Sequence, residues 1–230
     1  VAPVGWLVAE HESGNAILSY LEACFEDFKA DTRPMQILVA TGRQPDFALN
    51  DQEEAILAAL QGGPLSLVQL ASKAGVRHWK MLKFERLEQH YLVFRCGLTP
   101  TDVLHVLERL ELWDSDPSRR LTTMYAELVG KTVDDFAEDI VDRVSEALAV
   151  QLIKKQLDAV TDADAMDECD ACQVLLQKVL SNSTEDLHLK ATLDRPVIGL
   201  GAPAAYFMPE AVALLHGELI IPDHAAVANA

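Results

Sequence analysis

Two glycines near the end of the chain have the type and spacing to approach a nucleotide. Gly199 and Gly201 stand in the run Pro196-Val-Ile-Gly-Leu-Gly-Ala-Pro-Ala204, after an apolar stretch that reads as a strand and before one that reads as a helix. With no side chains in the way, backbone amides there can come close to a ligand. The run lacks the third glycine of the dinucleotide fingerprint and the lysine of a phosphate-binding loop. On spacing alone, a tight turn in an α/β core explains it as well.

Other residues have a chemical reading beside a plainer one. Asp102 and His105 lie one turn apart in Thr99-Pro-Thr-Asp-Val-Leu-His105. Asp102 has the chemistry to face a cleft or hold a metal-bound water, and equally that of a first-turn acid favoured by the helix dipole. A lone histidine on a helix reads as a structural residue before it reads as a ligand. His224 and Asn229 suit capping and hydrogen bonding at a helix start, or the edge of a nucleotide pocket. Cys169-Asp-Ala-Cys172 has the C-x-x-C spacing of zinc and redox sites. No second C-x-x-C accompanies it, carboxylates crowd it, and nothing fixes Asp, Glu or His188 nearby to complete a metal site.

From Lys73 to Arg95 the chain carries six bases (Lys73, Arg77, Lys80, Lys83, Arg86, Arg95) against Glu85 and Glu88, a local charge of +4. A basic recognition helix is one reading, a protein contact another and a solvated face a third. Trp79, Phe84 and Tyr91 fit a small core better than base stacking.

The elements that must position these residues follow from periodicity. Val4–Ala9 reads as a strand, Asn15–Phe28 as a helix and Met35–Ala40 as a second strand. Asn50 with Glu53 makes a capping box before Ala55–Leu60, and Gly62-Gly63-Pro64 ends that helix. Ser66 caps Leu67–Ala74, His78–Gln89 reads as a third helix and Tyr91–Arg95 as a strand. Three short helices and a strand give a winged-helix outline. Thr99-Pro100 starts the next helix; Trp113–Pro117 interrupts. Thr132 caps a long helix reaching about Leu157, Cys172–Leu180 forms another, and Asn182–Asp186 is a polar turn. The end reads as strand Pro196–Gly199, helix Pro209–Leu215 and strand Glu218–Ile221, with a further helix from Ala225.

The whole is a mixed, helix-rich α/β chain of 230 residues, half of them hydrophobic. Its net charge of −17 argues against nucleic acid as the main partner. The acidity concentrates between Gly130 and Leu187, with 14 acids against 5 bases. No apolar run approaches the roughly 20 residues needed to cross a bilayer. Four cysteines do not make a secreted disulfide scaffold, so a reduced, cytoplasmic protein is expected. A start at Val1 and a stop at Asn229-Ala230 read as an excerpt of a longer polypeptide.

RPVIGLGAPAAYFMPEAVALLHGELIIPDHAAVANA resembles the closing segment of the A-type domain of the hydantoinase/oxoprolinase family, and GLTPTDVLHVLERLELWD resembles an upstream signature of that family. The two stretches occur in the family's order and cover about 50 of the 230 residues. The resemblance implies part of an actin/hexokinase/Hsp70-like nucleotide-binding fold. Residues 1–48 and 98–230 would belong to the main domain, with 49–97 a winged-helix-like insert. It further implies an ATP-dependent cyclic amide hydrolase. ATP and Mg²⁺ would be the cofactors, a small cyclic amide the substrate, and a B-type subunit a possible partner in a homo- or hetero-oligomer. Gly199, Gly201, Ala202 and Pro203 would line the adenosine, and Asp102 would face the cleft. No Asp-x-Gly-Gly-Thr-like phosphate loop occurs in the sequence, so these residues alone are expected to be an incomplete catalyst. The alternative is a non-catalytic protein whose insert binds DNA or a protein.

Overall fold

The structure, a computed structural model, describes residues 1–10, 14–23, 25, 36–180 and 189–225. It is helix-rich with a small mixed sheet. The chain divides into two compact units, Val1–Ala137 and Glu138–Ala230. Among the described residues, no helix is long and apolar enough to cross a membrane.

The first unit is built on four strands: β1 (Ala2–Pro3), β2 (Ile37–Ala40), β3 (Leu65–Ser66) and β4 (Val93–Gly97), in the order β1-β4-β2-β3. β1 runs parallel to β4, while β2 is antiparallel to both β4 and β3. Side chains alternate across a strand, and β2 uses both faces. Ile37 and Val39 join a core with Val4, Leu7, Leu18, Leu21, Phe25, Cys96 and Leu121. Leu38 joins a second core with Ile56, Leu60, Leu70, Phe84 and Leu87. The helices behind the first core are α1 (Val4–Glu10), α2 (Gly14–Ala23) and α7 (Asp116–Val129). Those behind the second are α3 (Asp51–Leu60), α4 (Leu67–Lys73) and α5 (Glu85–Gln89).

Local signals place most starts. Asn50 and Glu53 form the capping box of α3, and Ser66 caps α4. Thr99 caps α6 (Pro100–Val106), and Thr132 accepts from the Asp135 amide at the start of α8 (Val133–Leu157). Three expectations change. Val4–Ala9 is helix α1, because a carboxylate 98 residues away accepts its first amides. The expected helix His78–Gln89 is broken into a 3₁₀ turn, Trp79–Met81, and the five-residue α5. The interruption expected over Trp113–Pro117 gives way at Asp116 to a helix, α7, for which no expectation was stated.

The segment 49–97 supplies β3 and β4, and β4 lies between β1 and β2. It therefore shares one sheet with residues 1–48, and the compact units divide within α8. Beyond Ala137 the second unit holds the rest of α8, α9 (Asp170–Leu180), α10 (Ala204–Leu214) and the parallel pair β5 (Val197–Ile198) and β6 (Leu219–Ile220). Its core gathers Ala149, Ala211 and Leu215, with Leu148, Leu152, Val179 and Leu193 against them. α10 begins five residues earlier than its proline suggested and carries Pro209 inside it. The turn at Asn182–Asp186, the helix from Ala225, and residues His188 and Asn229 lie outside the described residues or run beyond them.

Candidate functional site

The glycine turn follows directly from β5. Gly199 donates its amide to Ile220 O (2.9 Å), which extends the β5–β6 pairing by one residue. Gly201 donates to Ala225 O (2.7 Å), and its carbonyl accepts the amide of Ala204 (3.1 Å) at the start of α10. Both glycine amides are thus spent inside the protein and neither is left for a ligand. The two glycines are needed for different reasons. A Cβ on Gly199 would lie 3.3 Å from both Ala204 Cβ and Ile221 Cγ1, a crowded approach. Gly201 has φ +95°, which side chains resist.

What the turn offers outward is apolar. Ala202 and Pro203 are exposed, as are Leu200 (53%) and Ile198 (61%). Ile198 pairs in register with Ile220, also exposed at 43%. The arrangement is an apolar ledge at the strand-to-helix turn, suited to van der Waals contact with a flat ring. His224 is exposed in the following segment.

Asp102 sits in the other unit and is wholly buried. Its Oδ2 accepts from Thr99 N (2.9 Å), Thr99 Oγ1 (2.8 Å) and Val4 N (3.2 Å). Its Oδ1 accepts from Gly5 N (3.0 Å) and Ser118 Oγ (2.7 Å). One carboxylate therefore closes the capping box of α6, caps α1 and ties down the start of α7. These five donors fill the roughly four lone-pair sites of one carboxylate, with one site shared. The cleft-facing position foreseen for Asp102 is not the one it takes: its oxygens point into the protein.

Beside it, the His105 ring stacks on Trp113 at 4.3 Å and 21°. His105 is 2% exposed, and neither of its nitrogens has a hydrogen-bond partner; the same holds for Trp113 Nε1. Burial pushes the His105 pKa below its ordinary value, and the nearby charge of Asp102 pulls it back without reversing that. The indole rests on Gly5, where a Cβ would lie 2.0 Å from Trp113 Nε1. Gly5, Trp113 and Ser118 carry no local signature that sequence reasoning could have used.

The basic segment is partly consumed by its own unit. Arg86 pairs with the buried Glu53 through both Nε (2.7 Å) and Nη2, donates to Ala48 O (2.8 Å) and lies over the Phe47 ring. The hydrogen bond from Arg86 holds the Glu53 pKa below the usual carboxylate range despite burial. Arg95 pairs with Glu88 at 2.7 Å and covers Phe84. Two of the six bases are therefore paired within the unit, and Lys80 and Lys83, expected on one helix with Arg86, fall outside the five-residue α5.

Cys169 and Cys172 lie together in the second unit, their sulfurs 2.6 Å apart. Among the described residues, no group of three or more His, Cys, Asp or Glu side chains is placed to hold a metal ion. Two shallow depressions, of about 320 and 300 Å³, are lined along α8 at Ile140–Gln151 and around Val68–Trp79, and neither lining includes the glycine turn. No family model matches the chain, and no curated protein or solved structure is significantly similar to it.

Proposed function

We propose that this chain is part of an ATP-dependent cyclic amide hydrolase of the hydantoinase/oxoprolinase type, with an actin-like nucleotide-binding fold, and that it supplies the adenosine side of the ATP cleft. The observation that carries the reading is the exposed ledge Leu200, Ala202 and Pro203 at the end of β5, held rigid by the bonded amides of Gly199 and Gly201. It stands within the sequence stretch that resembles the family's closing segment. A ledge of this kind fits an adenine face, because apolar contact and exclusion of water need no donor from the turn itself.

The triphosphate and its Mg²⁺ do not fit the described residues. The glycine amides are occupied, and the described residues offer no carboxylate cluster for the cation. Phosphoryl transfer to the substrate amide, which would turn a poor leaving group into a good one, accordingly has no residue of this chain assigned to it. Asp102 is a structural anchor in this scheme and not a nucleotide contact.

The reading makes a specific demand. If the chain contacts only the nucleoside, then adenosine, ADP and ATP should bind with similar, roughly millimolar, affinity. Amide chemical shifts should move at Leu200, Gly201, Ala202 and Ala204 in NMR titrations with each. Ala202→Glu, placed on the exposed ledge, should abolish those shifts without unfolding the chain. Saturating adenosine that leaves residues 199–204 unmoved would remove the proposal.

A further inference from the structure

The 3₁₀ turn Asp164–Glu168 runs straight into α9, and the junction residue is Cys169. Its carbonyl accepts the amide of Gln173 (3.0 Å), the first i to i+4 bond of the helix, which makes Cys169 the N-cap. The side chain behaves as a cap as well: the Cys172 amide points at Cys169 Sγ at 3.3 Å. The Cys172 sulfur lies against the same atom, 2.6 Å away. Both residues are partly exposed. Two thiols three residues apart at the head of a helix, with one sulfur receiving an amide and lying against the other, are arranged for exchange with a disulfide.

We propose that Cys169 and Cys172 form a thiol–disulfide exchange site in which Cys169 attacks a small-molecule disulfide and Cys172 resolves the product. In the first step the Cys169 thiolate bonds to one sulfur of the small disulfide, whose sulfur–sulfur bond breaks. One thiolate leaves and takes up a proton. In the second step Cys172 loses its proton to solvent and its sulfur bonds to Cys169 Sγ. The bond from Cys169 to the small molecule breaks and the second thiolate leaves, to be protonated in turn. Two protein thiols become one cystine, the small disulfide becomes two thiols, and two electrons pass from the protein to it.

The order of roles follows from the contacts. Cys169 Sγ has the Cys172 sulfur beside it and receives the Cys172 amide, and these contacts lower its pKa. The same neighbour raises the Cys172 pKa. Cys96 provides the contrast: it is buried in the first core, and burial pushes its pKa up to about 12, so it stays an inert thiol. The corner around the pair is braced by Lys154, which reaches Asp167 at 2.6 Å, and by Gln173, whose side-chain amide donates to Met166 O at 3.0 Å. Closure of the disulfide needs mainly side-chain rotation, since the sulfurs already touch.

Substrate preference follows from charge. Glu168 and Asp170 flank Cys169, and Asp167 is 62% exposed even with Lys154 beside it. A negative corner repels anionic disulfides and attracts cationic ones at low salt. The site therefore favours cystamine-like over glutathione-like disulfides.

The test uses the full reduced chain, with cystamine or oxidised glutathione added and acid-quenched samples read by mass spectrometry and peptide mapping. The intact chain should lose the mass of two hydrogens, with the new cystine mapped to Cys169–Cys172. Cys172→Ser should stop at a mixed disulfide on Cys169, and Cys169→Ser should react at Cys172 at least roughly tenfold more slowly. Cystamine should outpace oxidised glutathione at low salt, with the advantage shrinking as salt rises. Equal labelling rates in the two serine variants would overturn the assignment. So would a stoichiometric zinc ion that is lost with either cysteine.

Discussion

Asp102 shows what a single buried charge can organise. Its five donors come from β4's exit, from the first turn of α1 and from α7. Asp102→Ala leaves several buried donors unpaired and should cost about 3–5 kcal/mol. All three tryptophans (Trp6, Trp79, Trp113) belong to the first unit, so their fluorescence during urea denaturation reads the loss there. A shift in midpoint no larger than that of Ser118→Ala would mean that the long-range bonds contribute little. His105 adds a pH dependence of definite sign. Burial lowers its folded pKa below the ordinary 6.5, so the unfolded chain binds the proton more readily. The folded unit should keep its stability above pH 6.5 and lose it as pH falls from there toward the folded pKa. His105→Phe, which can still stack on Trp113, should flatten that part of the curve. An unchanged slope between wild type and variant would place the acid sensitivity elsewhere.

The elements show where local sequence suffices and where it does not. Asn50 with Glu53, Ser66, Thr99-Pro100 and Thr132 each carry their own cap, and the helices they start were legible from a few residues. α1 was not, because Val4–Ala9 is an apolar run with no period to separate helix from strand. Its cap is a carboxylate supplied from α6, and its position against α7 depends on Gly5 receiving the Trp113 indole. The expected helix over His78–Gln89 failed in the opposite sense. His78 caps a 3₁₀ turn through its ring (Lys80 N to Nδ1, 3.2 Å), and Lys83 donates its amide to Gln52 instead of continuing the helix. Of the candidate site, the turn at Gly199–Pro203 was legible as strand, glycine turn and helix. The destinations of its amides, Ile220 O and Ala225 O, were not, since they depend on tertiary pairing. Gly5 gives the element-scale prediction. Gly5→Ala must displace an indole that approaches the new methyl to 2.0 Å, so overpacking should cost about 1–3 kcal/mol. A smaller residue at Trp113 relieves the clash, so Gly5→Ala with Trp113→Leu should be less destabilised than the sum of the single variants. Strict additivity in that cycle would show that the indole is not what excludes a side chain at residue 5.

At the scale of the whole molecule, the two units differ in what holds them. The first has a four-stranded sheet with apolar cores on both faces, containing nine and twelve buried residues among those described. The second, among its described residues, buries mostly small side chains such as Ala149, Ala163, Ala204 and Ala211 beside Leu176, Phe207 and Leu215, and has a single two-stranded parallel pair. Apolar burial is the main source of stability, and isolated two-stranded sheets are marginal. The second unit should therefore unfold at lower urea than the first. Far-ultraviolet circular dichroism, which sees helices in both, should show an early loss of signal that tryptophan fluorescence misses, because the second unit holds no tryptophan. The same two transitions can localise the nucleoside. A ligand that binds one folded unit raises that unit's transition alone, by about 1.4 kcal/mol at a tenfold excess over its dissociation constant. With the ledge at Leu200–Pro203 in the second unit, adenosine should move the early transition and leave the fluorescence transition in place. Movement of the fluorescence transition instead would put the ligand on the unit that contains Asp102, and the glycine turn would then be what its internal hydrogen bonds make it by themselves: a rigid joint between β5 and α10.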